Sequence, residues 1–226
     1  MTKENIILLA VTVLMYFISI GSMKFTPFRK AEGTKEKINC LIKSTWKETV
    51  YFVLMFVVNI GLCEMLFLFY KDNTMIYISK RIIVASVLWV AAYFDKKSYR
   101  IPNKLILLGL VLRVIVLGIE VLTIGTEVKE FIISELIASA AMFVISLICM
   151  LIAKNSLGMG DVKLFMIMGL FLGIRGMMTA MFFSLIVTFF VSVFMLITKK
   201  KNRKDYLPFA PSIMVGTIMA FALSNA

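Results

Sequence analysis

Histidine is absent from this 226-residue chain. Its absence removes His-based general acid–base chemistry, the Ser-His-Asp triad and the HExxH zinc site together. Cysteine is almost as scarce. Cys40, Cys63 and Cys149 stand far apart and form no CxxC pair, so neither a zinc knuckle nor a disulfide framework is indicated, and no metal or cofactor is expected. Cys63 and Cys149 fall inside apolar runs and read as packing residues. Acidic residues number 13 against 25 basic ones, so chemistry done by carboxylates has few candidates. The resulting charge of +12 would suit a nucleic-acid partner in a soluble protein. Here the basic residues lie in short loops between apolar runs, where they report membrane topology instead. No nucleic-acid partner is expected.

What the chain has in abundance is apolar sequence. Hydrophobic residues make up 61% of it and the mean hydropathy is +0.95, far above an ordinary soluble domain. Apolar runs of about twenty residues, enough to cross a hydrocarbon core of roughly 30 Å, recur along nearly the whole length. The fold expected is an all-α polytopic membrane protein, with residues 1–226 forming a single integral membrane domain. The first run follows Lys3 but has Glu4 in its would-be basic region and no small-residue cleavage site before Lys24, so it reads as a retained span rather than a signal peptide.

The spans expected are Asn5–Met23, Tyr51–Tyr70, Met75–Phe94, Leu105–Leu122, Phe131–Ala153, Gly158–Ile174, Met177–Thr198 and Leu207–Leu223, which makes about eight transmembrane helices. A basic loop, 24–50, separates the first two. Within it, Ile38–Trp46 reads equally as a short interfacial helix or as part of a solvated loop. Lys80 and Arg81 are expected to snorkel outward. Arg113, near the middle of its span, should face protein and form a structural ion pair, with Glu64 as its candidate partner. Glu120, Glu127, Glu130 and Glu135 read as an outer turn, and the prolines of Leu207-Pro208-Phe209-Ala210-Pro211 suit an irregular start to the last span. All the basic loops, including the run Lys199–Lys204, then fall on one side. By the positive-inside rule that side is cytoplasmic and both ends lie outside, as befits a multi-pass protein of the cell membrane.

Two acidic residues meet at that cytoplasmic boundary. Asp95 ends the third span, in Asp95-Lys96-Lys97-Ser98-Tyr99-Arg100-Ile101-Pro102-Asn103. Asp161 opens the sixth, in Gly158-Met159-Gly160-Asp161-Val162-Lys163. A helix N-terminus favours an ionised carboxylate at Asp161. Two carboxylates at one depth can share a water and one proton, and such a pair can activate water against a carbonyl while hydrogen-bonding the carbonyl oxygen. Which aspartate is base and which is acid stays open, because a coupled pair titrates as a unit. The same two acids also fit a non-catalytic protein, a transporter or an assembly subunit of a pilus or secretion apparatus, in which they carry protons or hold helices together.

The motifs Asp95-x5-Ile101-Pro102-Asn103, Gly158-Met159-Gly160-Asp161 with Lys163-Leu164, and Pro208-Phe209-Ala210-Pro211 together resemble the type IV prepilin peptidase family, membrane aspartyl proteases with a GxGD motif. The resemblance covers 84–216, the expected peptidase core. It implies cleavage of the short basic leader of prepilin or pseudopilin substrates, after a glycine, at the cytoplasmic membrane face. It also implies catalytic roles for Asp95 and Asp161 and a shaping role for Gly158 and Gly160, with Pro102, Asn103 and Lys163 as the further motif residues of the site. Bifunctional members that also N-methylate the new terminus often carry paired CxxC motifs in the first cytoplasmic loop. Here that loop holds only Cys40, so the peptidase-only branch is the better comparison. Presenilin and signal peptide peptidase share GxGD, but their Tyr-Asp pair and Pro-Ala-Leu motif are missing. The basic rim of Lys96, Lys97, Arg100, Lys104 and Lys163 reads in two ways, as an anchor for anionic lipid headgroups or as a contact for acidic substrate residues.

Overall fold

A computed structural model describes residues 3–30, 45–69, 74–125, 128–152, 158–198 and 208–223. The candidate interfacial helix Ile38–Trp46 lies outside the described residues, apart from its last two positions, as do Cys40, Glu127 and the run Lys199–Lys204. The described residues form helices and no strands: α1 (Lys3–Lys30), α2 (Trp46–Phe69), α3 (Met75–Ser98), α4 (Asn103–Ile124), α5 (Val128–Ile152), α6 (Met159–Ile197) and α7 (Ala210–Leu223). Six of them, α1 to α6, are long and apolar enough to cross a membrane. The protein is therefore polytopic and all-helical.

Among the described residues seven helices stand where eight were expected, and the difference lies at Gly173. The expected sixth and seventh spans are continuous in α6, with no loop between them, and are interrupted only where Gly173 adopts φ 66° and ψ −173°. This left-handed region is one that glycine enters at little cost. A straight helix of 39 residues would be about 58 Å long, nearly twice the hydrocarbon thickness. The contacts show that it is not straight. Phe165 meets Phe209 and Ser184 meets Ile213, so positions about 28 Å apart on an unbroken helix touch positions only about 6 Å apart at the start of α7. The two arms of α6 thus run back alongside one another.

The helices form two compact units, 1–90 and 91–226, whose boundary falls inside α3. In the first unit α1 packs on α2, with the Tyr16 and Phe56 rings 4.9 Å apart, and Tyr51 donates its hydroxyl to the Trp89 carbonyl at 2.7 Å. Lys80 and Arg81 are buried, contrary to the snorkelling expected of them. Arg81 lies over the Tyr77 ring and donates to its hydroxyl, so an aromatic neighbour one turn away on α3 takes the place of water. Cys63 is a core residue, whereas Cys149 is exposed among apolar side chains on α5.

Asn59 is 1% exposed and neither atom of its side-chain amide has a hydrogen-bond partner. An unmade buried hydrogen bond costs about 1–3 kcal/mol, so Asn59→Leu is expected to stabilise the protein by an amount of this order. A lower thermal unfolding midpoint for the variant in detergent would contradict this.

In the second unit, helices cross where a side chain is missing. A Cβ on Gly169 would lie 2.7 Å from Ser139 Cα, and one on Gly216 would lie 2.4 Å from Ser184 Cα. These glycines allow α5 to meet the first arm of α6, and α7 to meet the second, backbone against backbone, as small residues do in membrane helix packing. The faces turned away from these contacts are lined by exposed Leu122, Ile152, Phe182, Phe190 and Ile197, the surface a bilayer would cover.

Candidate functional site

The α3 helix does not stop at Asp95 but runs one turn further, to Ser98, so Asp95 lies on the last helical turn and not at the start of a loop. Termination falls to Tyr99, at φ 52°, whose amide donates back to the Asp95 carbonyl at 2.9 Å. Pro102 then holds Ile101 out of helical geometry and serves as the N-cap of α4. The Ile101-Pro102-Asn103 stretch is thus a short extended bridge between two helices.

The Asp95 side chain is 7% exposed, and its Oδ2 accepts a hydrogen bond at 2.9 Å from the Ala210 amide, the first of α7. Phe209 is the N-cap, as its carbonyl receives the Ser212 and Ile213 amides at 3.0 and 3.1 Å. Pro211 has no amide to satisfy. Asp95 therefore supplies from another helix the carboxylate that a helix N-terminus attracts. Pro208-Phe209-Ala210-Pro211 is the seat for that carboxylate, a role sequence reasoning missed when it read the prolines only as an irregular helix start.

Asp161 occupies the third position of α6. Its amide donates to the Gly158 carbonyl at 3.0 Å, and its Oδ2 accepts from the Gly158 amide at 3.2 Å. The bond to Oδ2 is the carboxylate half of a capping box; glycine supplies no side chain for the other half. Neither motif glycine needs a left-handed backbone; both serve by being small. A Cβ on Gly158 would lie 3.2 Å from Asp161 Oδ2, and one on Gly160 would lie 3.0 Å from Ile101 Cβ. Gly160 thus lets the Asp161 turn press against the bridge that follows Asp95. Lys163 Nζ donates to Asn103 Oδ1 at 3.0 Å, a second tie between the same two segments, and the Phe165 and Phe209 rings meet edge to face at 5.8 Å.

The expected site residues are therefore brought together. Asp95 and Asp161 lie within range of each other's charge, and Asp161 Oδ1 is buried with no hydrogen-bond partner in the protein. Each carboxylate has one oxygen held by a helix N-terminal amide. Asp161 keeps its second oxygen for something else, and two such groups can hold a water between them. Among the described residues no cluster of three or more histidine, cysteine, aspartate or glutamate side chains could hold a metal ion.

Arg113 is not paired with Glu64. It bonds to Glu120 at 2.8 Å and to Glu135, and all three residues are buried. Glu120 and Glu135 lie within helices α4 and α5, as the expected spans placed them, and their side chains are buried on Arg113 instead of marking an outer turn. One signal for this was in the sequence: Glu120 follows Arg113 by seven residues, two turns along one helix face.

Residues 82–197 match the family profile described as the type IV leader peptidase family. A curated relative from Bacillus subtilis (strain 168), the prepilin leader peptidase/N-methyltransferase, is 31% identical over 91 residues, which is 40% of this chain and 37% of that protein. The match thus spans well under half of the relative's length. No solved structure matches the chain.

Proposed function

This chain belongs to the type IV leader peptidase family, and from that premise we propose that it is a membrane aspartyl endopeptidase that removes the short basic leader of prepilin-like proteins at the cytoplasmic face of the cell membrane. The observation that supports the reading is the contact between the two segments that carry Asp95 and Asp161, through Gly160 against Ile101 and Lys163 to Asn103, with each carboxylate held through one oxygen at a helix N-terminus. In the reaction one carboxylate of the pair takes a proton from a shared water as that water attacks the scissile carbonyl. The protonated member hydrogen-bonds the carbonyl oxygen and later gives its proton to the leaving amine. Gly158, Gly160, Pro102, Asn103 and Lys163 act by holding the two segments in register. Lys96, Lys97, Arg100 and Lys104 meet anionic headgroups and fix the depth of the pair, and the apolar half of the substrate enters sideways from the bilayer. With no CxxC pair in the sequence, the released N-terminus is left unmethylated.

The test is direct. Purified protein in lipid vesicles is incubated with a prepilin-type substrate bearing its leader, and the product mass is read. Cleavage after the glycine that ends the leader, with an unmethylated new terminus, is the expected result. An uncut substrate would point to transport or assembly, and a methylated terminus would overturn the peptidase-only reading.

A further inference from the structure

The break in α6 is closed from both sides. Where Gly173 interrupts the helix, the Leu170 carbonyl, whose helical partner would be the Ile174 amide, accepts a hydrogen bond from Arg113 Nε at 2.7 Å. The Ile174 amide donates to Ser134 Oγ at 3.3 Å. Arg113 of α4 thus satisfies the carbonyl side of the break and Ser134 of α5 the amide side. The two closures are linked, because Glu135, the neighbour of Ser134, accepts from Arg113 Nη2, while Glu120 accepts from Nη1. The guanidinium thereby engages all three nitrogens at once, with two carboxylates and one carbonyl. The Phe171 ring lies 5.9 Å from its central carbon.

Ser134 alone reaches only the amide side of the break, so the Leu170 carbonyl needs a donor, which Arg113 supplies. Three buried charges are a costly addition, and they hold a rigid fork against the far end of the arm that carries Asp161. Leu170 is nine residues, or about 14 Å, beyond Asp161 along that arm. A helix this short transmits a shift or tilt at one end to the other. We propose that Arg113, locked by Glu120 and Glu135, is a positioning residue that sets the height and tilt of the first arm of α6, and through it the register of Asp161 against Asp95. The inference rests on the peptidase reading for its catalytic consequence, though not for its geometry.

The experiment compares wild type, Arg113→Met, Arg113→Lys and the triple variant Arg113→Met/Glu120→Gln/Glu135→Gln in lipid vesicles. Two readouts are taken: kcat and KM for a prepilin-type substrate, and the rate at which a short bismaleimide joins Asn103→Cys to Lys163→Cys. The second is made in a background with Cys40, Cys63 and Cys149 replaced by alanine. Arg113→Met is expected to lower kcat by roughly 10²-fold with KM changed by less than about threefold, the mark of misplaced reacting groups, and to slow cross-linking. It also leaves carboxylates buried against no cation and lowers yield. The triple variant removes that penalty and recovers yield, while kcat and cross-linking stay low because the Leu170 carbonyl has lost its donor. Arg113→Lys, with one point charge in place of the fork, falls between. Recovery of wild-type kcat and cross-linking in the triple variant would overturn the proposal and leave Arg113 a stabiliser of the fold alone. The cross-linking arm needs no peptidase activity. An inactive wild type with normal cross-linking losses in the variants would sink the peptidase reading, while unchanged cross-linking in the variants would sink the positioning role.

Discussion

Asp95→Asn and Asp161→Asn, made singly, are each expected to reduce cleavage of a prepilin-type substrate by roughly 10²–10⁴-fold, the range that one positioned acid or base contributes. The amide keeps the shape of the carboxylate, so a loss of this size reports chemistry and not packing. Each variant also keeps the helix contact that its carboxylate makes. In Asp95→Asn the side-chain carbonyl can still accept from the Ala210 amide, so α7 should stay seated and the unfolding midpoint should move little. In Asp161→Asn the side chain can likewise still cap the Gly158 amide. The double variant should be no worse than the poorer single one, since the pair acts as a unit and its members' effects do not add. Matched amounts of folded protein and a first-order rate from single-turnover cleavage make the measurement. Either single variant cutting at near the wild-type rate would show that the two carboxylates are not a catalytic pair.

The second large effect is expected from a residue with no side chain. A Cβ on Gly216 would sit 2.4 Å from both Ser184 Cα and Ser184 N, and 2.7 Å from Ser184 Oγ. The first two are backbone atoms that cannot rotate away. Gly216→Val must push α7 off the second arm of α6 by more than about an ångström, at a cost above the roughly 1–3 kcal/mol of ordinary overpacking. Ser184 Oγ would also be driven from the Ile213 carbonyl, and the displaced helix carries the Ala210 amide away from Asp95. Both the unfolding midpoint and cleavage should fall, the latter at least as steeply. Gly118→Ala is the control. No heavy atom lies within 4 Å of its added Cβ, and alanine in a helix interior is favoured over glycine by roughly 0.5–1 kcal/mol. If the Gly216 variant unfolds and cleaves like the Gly118 variant, the helix contact is not as close as described.

What the sequence made legible was whatever is encoded over a few neighbouring residues. Apolar runs announced the helices, and Asp95-x5-Ile-Pro-Asn and Gly-x-Gly-Asp announced the two segments that meet. Contacts between distant positions were hidden. Nothing in Pro208–Pro211 signals that the Ala210 amide serves a carboxylate 115 positions earlier. The partners of Arg113 are fixed by tertiary packing and not by local sequence. The Glu135 contact depends on how α5 lies against α4, which a tally of apolar residues does not specify. Gly173 carries no local mark of a break, whereas Arg175 near it is charged, as a polar turn would be. The conformational work is done by the glycine, two residues earlier.

The first arm of α6 has a consequence for the lipid around it. From Met159 to Gly173 it rises through about 14 residues, or ~21 Å, against a hydrocarbon slab of roughly 30 Å. Lys163, near its N-terminal end, favours the headgroup layer. An arm of this length anchored at one surface would end short of the other, which would set the Gly173 turn inside hydrocarbon depth. Water cannot satisfy a broken helix there, so the donors and acceptors must come from the protein itself. A hydrophobic mismatch of this size would draw the far leaflet inward around the arm, and the protein's fit to its membrane would depend on acyl-chain length.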